Sequence, residues 1–342
     1  MSMQFIRQLP SPEEVKGQYP VSDAALARKK AADAELASIF TDASQKKVLV
    51  IGPCSVDSEP PVLEYAARLA RLQERVADKL MLVMRVYTNK PRTTGDGYKG
   101  MLHQPNPTEK PDPCKGLLAI RQLHTKILTD MGLPTADEIL YPSNYIYLSD
   151  LLSYHAIGAR SVENQEHRPV ASGLDVPVGM KKPTGGDLSV MMNSITAAQH
   201  PHVFQYRNAE VATTGNPLAH AILRGYVTRH GQSMPNYHYE NLMYLSDLYA
   251  KASLANPALI VDCNHANSGK QYAEQPRIAK DVLHACRHNQ AVAALVKGFM
   301  IESYLEDGCQ KIGEGVFGRS ITDPCLGFEK TEKLVLEIAD LL

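Results

Sequence analysis

Short apolar runs recur along the chain, most of them ending at a charged or small residue. They alternate with stretches whose apolar residues repeat every three or four positions. The runs cover 48–52, 81–87, 136–140, 156–162, 176–180, 202–206, 258–262 and 294–302. Each has the length of a strand buried on both faces. Between the first two, Val62, Tyr65, Leu69, Leu72 and Val76 lie on one helical face. Helices are predicted over 115–131, 143–154, 188–198, 239–252 and 278–288, and a last one carries Leu334, Ile338 and Leu341. Ser22 and Asp23 are cap residues for a helix reaching about Phe40. Strand and helix in this alternation predict an α/β chain, a (β/α)8 TIM barrel. Residues 1–45 form an N-terminal extension and 46–342 the barrel. An open doubly wound sheet is the alternative, but no GxGxxG follows an early strand.

In such a barrel, functional groups sit just after the C-terminal ends of the strands. Cys54 follows the first strand, in Gly52-Pro53-Cys54-Ser55. The second strand contains Arg85 within an apolar run, and Lys90, Pro91, Arg92 and Thr93 follow it. A buried guanidinium keeps its proton and needs an anion. With Lys90, Arg92 and Thr93 it forms a multi-donor site for a phosphate or carboxylate. Gly95, Gly97 and Gly100 leave the loop free to wrap closely. Glu138 ends the third strand, Arg160 the fourth, and Lys181 follows the fifth. Asp262 and His265 follow the seventh, Glu302 ends the eighth, and Asp323 lies in the loop beyond it. The thiol of Cys54, the imidazole of His265 and the carboxylates of Glu302 and Asp323 share one rim. Carboxylates alone suit magnesium, whereas an added thiol and imidazole favour manganese, iron, cobalt or zinc.

The 342 residues fit one barrel with additions, and a 44% hydrophobic fraction can fill its core. A net charge of −1 argues against a surface built for nucleic acid or membrane, so the cations of the loops point to a local anionic ligand. No long apolar run opens the chain and none later approaches a membrane span, which predicts a cytoplasmic protein. The six cysteines are scattered without a CxxC, as expected for a reduced compartment.

The segments IGPCSVD, MRVYTNKPRTTGDGYKG, AIGARSVENQEHR, PVGMKKPTGGDL, HAILRG, VDCNHANSGKQ, MIESYLEDGCQ and GRSITDPC, in this order, resemble those of type I 3-deoxy-D-arabino-heptulosonate 7-phosphate (DAHP) synthases. The resemblance implies a metal-dependent barrel that joins phosphoenolpyruvate to erythrose 4-phosphate, opening the shikimate pathway to the aromatic amino acids. By motif, it implies Cys54, His265, Glu302 and Asp323 as ligands of a divalent metal, manganese first, with iron, cobalt or zinc as alternatives. Phosphoenolpyruvate would be held by Arg85, Lys90, Glu138 (through water), Ala159, Arg160, Lys181 and Arg224. Erythrose 4-phosphate would meet Lys90, Pro91, Arg92 and Thr93. Lys90 lies between the two substrates, as proton donor or as a purely electrostatic group, and His167 would help position water.

The chain departs from the usual pattern at Lys182, where asparagine is common, and at Tyr98 and Phe328, where tryptophan is common. A sister enzyme making an eight-carbon keto acid phosphate shares the phosphoenolpyruvate site. It usually carries Lys-Ala-Asn where this chain has Lys90-Pro91-Arg92, which favours erythrose 4-phosphate. A catalytically silent metabolite-binding barrel would be marked by loss of a ligand, and all four are present. The extension, with Phe5, Ile6, Leu9, Val15 and Tyr19, resembles that of feedback-inhibited members. It implies an aromatic amino-acid pocket shared with Ser172-Gly173-Leu174-Asp175, and a homodimer or homotetramer. Asp175 stands where a small residue is common, and plugging the barrel bottom or making a subunit contact is the structural alternative.

Overall fold

The computed structural model describes residues 2–342. Two helices precede the first strand. In α1 (Pro12–Gln18), Ser11 and Glu14 form a reciprocal capping box. In α2 (Asp23–Phe40), the Ser22 hydroxyl accepts from the Ala25 N–H. The chain continues through β1 (Lys47–Gly52), α3 (Glu59–Val76), β2 (Leu80–Arg85) and α4 (Pro113–Lys126), which widens into a π turn over Ile127–Met131. Then come β3 (Thr135–Ile139), a 3-10 turn (Pro142–Tyr147), β4 (Leu152–Ile157), α5 (His167–Ser172), β5 (Val178–Lys181) and α6 (Leu188–Gln199). A surface hairpin, β6 (Val203–Tyr206) and β7 (Ala209–Ala212), precedes β8 (Ala219–Leu223). A second small hairpin pairs β9 (Tyr226–Val227) with β10 (Ser233–Met234). The remainder is α7 (Tyr239–Ala252), β11 (Leu259–Asp262), α8 (Gln275–His288), α9 (Gln290–Leu295), β12 (Val296–Glu302) and α10 (Phe328–Leu341).

Eight strands close a barrel in the order β1-β12-β11-β8-β5-β4-β3-β2, every pairing parallel. Parallel strands covered by helices are buried on both faces, which is why they read as unbroken apolar runs. One cluster fills the space between strands and helices, as Leu49, Ile51, Tyr65, Leu69, Val282 and Leu334 illustrate. A second fills the barrel interior, with Val48, Val50, Val83, Tyr154, Ile222 and Met300, and joins Leu36, Ile39 and Phe40 of α2. The last turns of α2 therefore close the N-terminal end of the barrel.

Three elements differ from the sequence-based expectation. The predicted helix over 143–154 is only the short turn 142–147, and the fourth strand runs 152–157 rather than 156–162. Ser153, Tyr154 and His155 are buried polar residues of that strand, and polar groups within a buried strand hide its apolar signal. Arg160 accordingly sits in the loop after the strand. The predicted strand 202–206 is the exposed hairpin arm β6, with Val203 69% exposed. The sixth barrel strand is β8, a five-residue run concealed in what reads as a long connection. No helix among the described residues is long and apolar enough to cross a membrane.

Candidate active site

The C-terminal ends of the barrel strands surround a cavity of about 490 Å³. Its charged lining is strongly unbalanced. Arg85, Lys90, Arg92, Arg160, Lys181, Arg224 and Lys270 face only three carboxylates, Asp96, Glu138 and Asp323. This excess of positive charge is the chemistry that suits a polyanionic ligand.

At one wall, Cys54, Glu302 and Asp323 present ligand atoms within 4.8 Å of one another. The Cys54 Sγ lies 3.5 Å from Asp323 Oδ2. Both also meet Lys90, whose Nζ donates to Sγ at 2.8 Å and to Oδ2 at 2.7 Å. His265 stands beside this trio, with Nε2 3.8 Å from Glu302 Oε1. Its Nδ1 lies 2.7 Å from Asp262 Oδ2, so Asp262 backs the ring instead of lining the cavity. Burial drives the Cys54 thiol pKa up, and the neighbouring carboxylates add to this. Burial also opposes the charge on Lys90, but its anionic neighbours win and hold its pKa above the usual lysine range. A thiol, two carboxylates and an adjacent imidazole on one wall match the donor chemistry of a first-row divalent ion.

Glu302 is fixed before any ligand arrives. Its backbone N–H donates to Gln275 Oε1 at 2.8 Å and its carbonyl accepts from Gln275 Nε2 at 2.9 Å. Asn264 Nδ2 donates to Glu302 Oε2 at 2.6 Å, and Arg85 Nη2 to Oε1 at 2.9 Å. The Arg85–Glu302 pair is almost fully buried, at 2% and 1% side-chain exposure. A buried pair survives only when its other hydrogen-bonding positions are filled. Arg85 meets this requirement through Pro53 O at 3.0 Å and Cys54 O at 3.2 Å, with its guanidinium 3.7 Å from the Tyr87 ring centroid.

On the opposite wall, Lys181 donates to Glu138. Burial disfavours the Glu138 carboxylate, but Lys181 and Arg85 hold its pKa below the ordinary value. Gly158, just past β4, gives this carboxylate its room: a Cβ there would lie 2.5 Å from Glu138 Oε1. Arg224 is 9% exposed, and burial lowers its pKa. Arg160 and the 91–94 loop stand at the open mouth. Arg92 Nε donates to Tyr98 O at 2.8 Å.

Cys54, Arg85, Lys90, Pro91, Arg92, Thr93, Glu138, Ala159, Arg160, Lys181, Arg224, His265 and Asp323 all line this one cavity, with Glu302 in the wall behind it. His167 does not. Its ring lies 3.0 Å from Asn164 Oδ1 and 3.2 Å from Leu140 O, which engages both nitrogens outside the cavity. Sequence reasoning missed Lys270, which pairs with Asp323 at 3.0 Å, and the positioning residues Asn264 and Gln275. Lys270 could have been found from its place in the loop after the seventh barrel strand. It also missed Asp137, whose carboxylate accepts from Thr88 and from the Glu138 N–H. Burial raises Asp137 to about 7.

Comparison with known proteins agrees with this architecture. Residues 22–336 match the model of the DAHP synthetase I family. A Tyr-sensitive phospho-2-dehydro-3-deoxyheptonate aldolase of Salmonella typhimurium is 39% identical over 340 residues, covering 96% of this chain and 92% of the relative. A Trp-sensitive one of Enterobacter agglomerans is 38% identical, covering 98% and 95%. A solved phospho-2-dehydro-3-deoxyheptonate aldolase of Francisella tularensis superposes with a TM-score of 0.92 at 32% identity, over 99% of this chain and 98% of that one. With its match running from the second helix to the last, the chain belongs to the DAHP synthetase I family.

Proposed function

We propose that the two walls of the cavity in this DAHP synthase divide the work of one condensation. The enzyme is a transferase, catalysing the first step of the shikimate pathway. Phosphoenolpyruvate, erythrose 4-phosphate and water give DAHP and phosphate. Phosphoenolpyruvate brings a carboxylate and a phosphate, and Arg85, Lys90, Arg160, Lys181 and Arg224 supply the fixed cations that replace their hydration. Ala159 contributes to the same wall, and Glu138 meets the ligand through water. Lys90, Pro91, Arg92 and Thr93 take the aldose phosphate, with Arg92 on its phosphate. The geometry that supports this reading is the excess of cations around the one cavity that Cys54 and Asp323 of the Cys54–Glu302–Asp323 trio also line.

Cys54, His265, Glu302 and Asp323 would hold a divalent ion, manganese in the first place. When bound, it polarises the aldehyde as a Lewis acid. The chain's own groups do the rest. Arg85 and Asn264 keep Glu302 turned toward the wall, and Asp262 orients the imidazole of His265. Lys90, between the two substrate positions and held positively charged, supplies the proton for the alkoxide that forms when C3 of phosphoenolpyruvate attacks the aldehyde carbon. Water then adds at C2, and phosphate leaves by C–O cleavage. The test is phosphate release from phosphoenolpyruvate with erythrose 4-phosphate against arabinose 5-phosphate. A large preference for erythrose 4-phosphate is expected, and equal or faster turnover with arabinose 5-phosphate overturns the assignment.

Regulation by an aromatic amino acid belongs to the same reading, supported by relatives named Tyr-sensitive and Trp-sensitive. Within the chain, the extension is hydrogen-bonded to α4 and the region around the 142–147 turn rather than to Ser172-Gly173-Leu174-Asp175. Tyr147 Oη donates to Pro10 O at 2.8 Å, Lys16 Nζ to Ser149 Oγ at 2.9 Å, and Arg121 Nε to Tyr19 O at 3.1 Å. Val15 is buried there, whereas Phe5 and Ile6 are 87% and 89% exposed, which suits contact with a second subunit of a homodimer or homotetramer. A cytoplasmic location completes the proposal.

A further inference from the structure

Lys181 and Lys182 are adjacent on one strand end, so their side chains take opposite faces of the barrel wall. Lys181 reaches the cavity, and Lys182 does not line it. Yet Lys182 is 3% exposed, and it makes no ion pair with a carboxylate among the described residues. What its ammonium meets is the face of Tyr226, with Nζ 4.2 Å from the ring centroid. Burial lowers its pKa to about 8, and Asp187 only partly opposes this. A buried amine without a carboxylate is costly unless another group receives it, and an aromatic face is such a receiver.

A second group packs against Tyr226. Gly186, at φ +93°, packs so closely that a Cβ there would lie 2.6 Å from Tyr226 Cδ2. Val227, next along the chain, donates its N–H to Thr184 O at 2.9 Å. The ring is thereby clamped in the 182–186 loop. Tyr226 opens the β9–β10 hairpin, whose Val227 and Ser233 line the cavity, and it lies two residues after Arg224. Gly225 between them, at φ +70°, is seated against Ala266 and Asn267, where a Cβ would meet backbone at 2.6 Å. One residue of backbone, Gly225, therefore separates the Tyr226 stack from Arg224.

We propose that the Lys182–Tyr226 stack is a positioning device which holds the β9–β10 hairpin and, through it, Arg224 in the phosphoenolpyruvate site. This rests on the reading of Arg224 as a phosphoenolpyruvate ligand. The clamp acts on the bound ground state and the transition state alike, so its loss raises KM for that substrate and spares kcat.

The test is a steady-state comparison of Lys182→Met, Tyr226→Leu, the double variant, Lys182→Arg and Tyr226→Phe, with Arg224→Ala as reference and melting curves for each. Lys182→Met and Tyr226→Leu should each raise KM for phosphoenolpyruvate by about tenfold, the scale of a desolvated cation–π contact. Their kcat and their KM for erythrose 4-phosphate should stay within about twofold. The double variant should be no worse than either single one, because both remove the same contact. Lys182→Arg keeps the cation, Tyr226→Phe keeps the ring, and both should stay near wild type. If Arg224→Ala raises that KM while Lys182→Met does not, the clamp is overturned and the site reading stands. If Arg224→Ala also leaves it unchanged, the site reading itself fails and the clamp with it. Multiplying effects in the double variant, or a fall in kcat that tracks a lowered melting temperature, would show two separate structural roles and reject the device.

Discussion

The two ends of the barrel are built from the same strands and solve opposite problems. At the N-terminal end, Leu36, Ile39 and Phe40 are at most 1% exposed, and the polar groups among them are paired with one another. The Tyr154 hydroxyl lies 2.8 Å from His220 Nε2, and His220 Nδ1 lies 2.8 Å from Leu218 O. Phe40 packs on that imidazole at 4.4 Å between centroids. Burial lowers His220 to about 4, so the ring is a neutral hydrogen-bonding spacer at ordinary pH. Tyr154 and His220 thus already have their hydrogen-bond partners. At the C-terminal end, cations exceed carboxylates and converge on open space. One end is saturated and the other is deliberately unsatisfied, so damage to each should appear in a different measurement.

The sharpest way to separate them is Phe40→Ala. Removing this buried ring should cost about 3–5 kcal/mol of stability. The fraction that remains folded should keep its kcat, as read by denaturant unfolding alongside initial rates. A large kcat loss at unchanged stability would erase the distinction between the ends. Cys54→Ala should do the reverse. It removes the softest ligand, and metal affinity should fall by at least about 10–100-fold, with activity falling alongside at limiting metal. The melting temperature of the metal-free protein should barely move. Unchanged metal content by elemental analysis would remove Cys54 from the site.

Between the ends in effect lies the extension. Deleting residues 1–20 should abolish inhibition by an aromatic amino acid, a coupling of typically ~1–3 kcal/mol, while most catalysis persists. Separate titrations of phenylalanine, tyrosine and tryptophan on both proteins check this. If none inhibits the full-length enzyme, the extension is left with a structural role.

A pH-dependent effect concerns Asp137, which precedes Glu138 on β3 and does not line the cavity. Its folded pKa of about 7 exceeds the ordinary value of 3.8, because burial disfavours the charge. The folded chain therefore keeps this proton where the unfolded chain has lost it. Its contribution to stability is full below the unfolded value and is lost as pH rises toward about 7. Asp137→Asn cannot ionise, so its stability should decline less than that of the wild type across this window. Parallel pH–stability curves for the two proteins would show that Asp137 does not titrate there.

Much of the rim was legible because a parallel barrel turns sequence position into spatial position. Cys54, Lys90, Lys181, His265, Glu302 and Asp323 could be placed on one face once their strands were found. What escaped depends on contacts the linear pattern does not carry. The β8 strand, five residues long, lies after a hairpin whose exposed four-residue β6 arm presents a competing strand-like run. Lys270, Asn264 and Gln275 gain their roles only from partners 53, 38 and 27 residues away. His167 sits close to a strand end in sequence, but its ring turns to Leu140 and Asn164, outside the cavity.

The central claim is that the unsatisfied end acts as one metal-dependent anion site. It is tested most directly by stripping the protein with a chelator and titrating Mn²⁺ while following phosphate release from phosphoenolpyruvate and erythrose 4-phosphate. The stripped enzyme should be inactive. Activity should return in proportion to occupancy and saturate at one ion per chain, with no such return in Cys54→Ala at the same concentration. Full turnover by protein shown to be metal-free by elemental analysis would contradict the account.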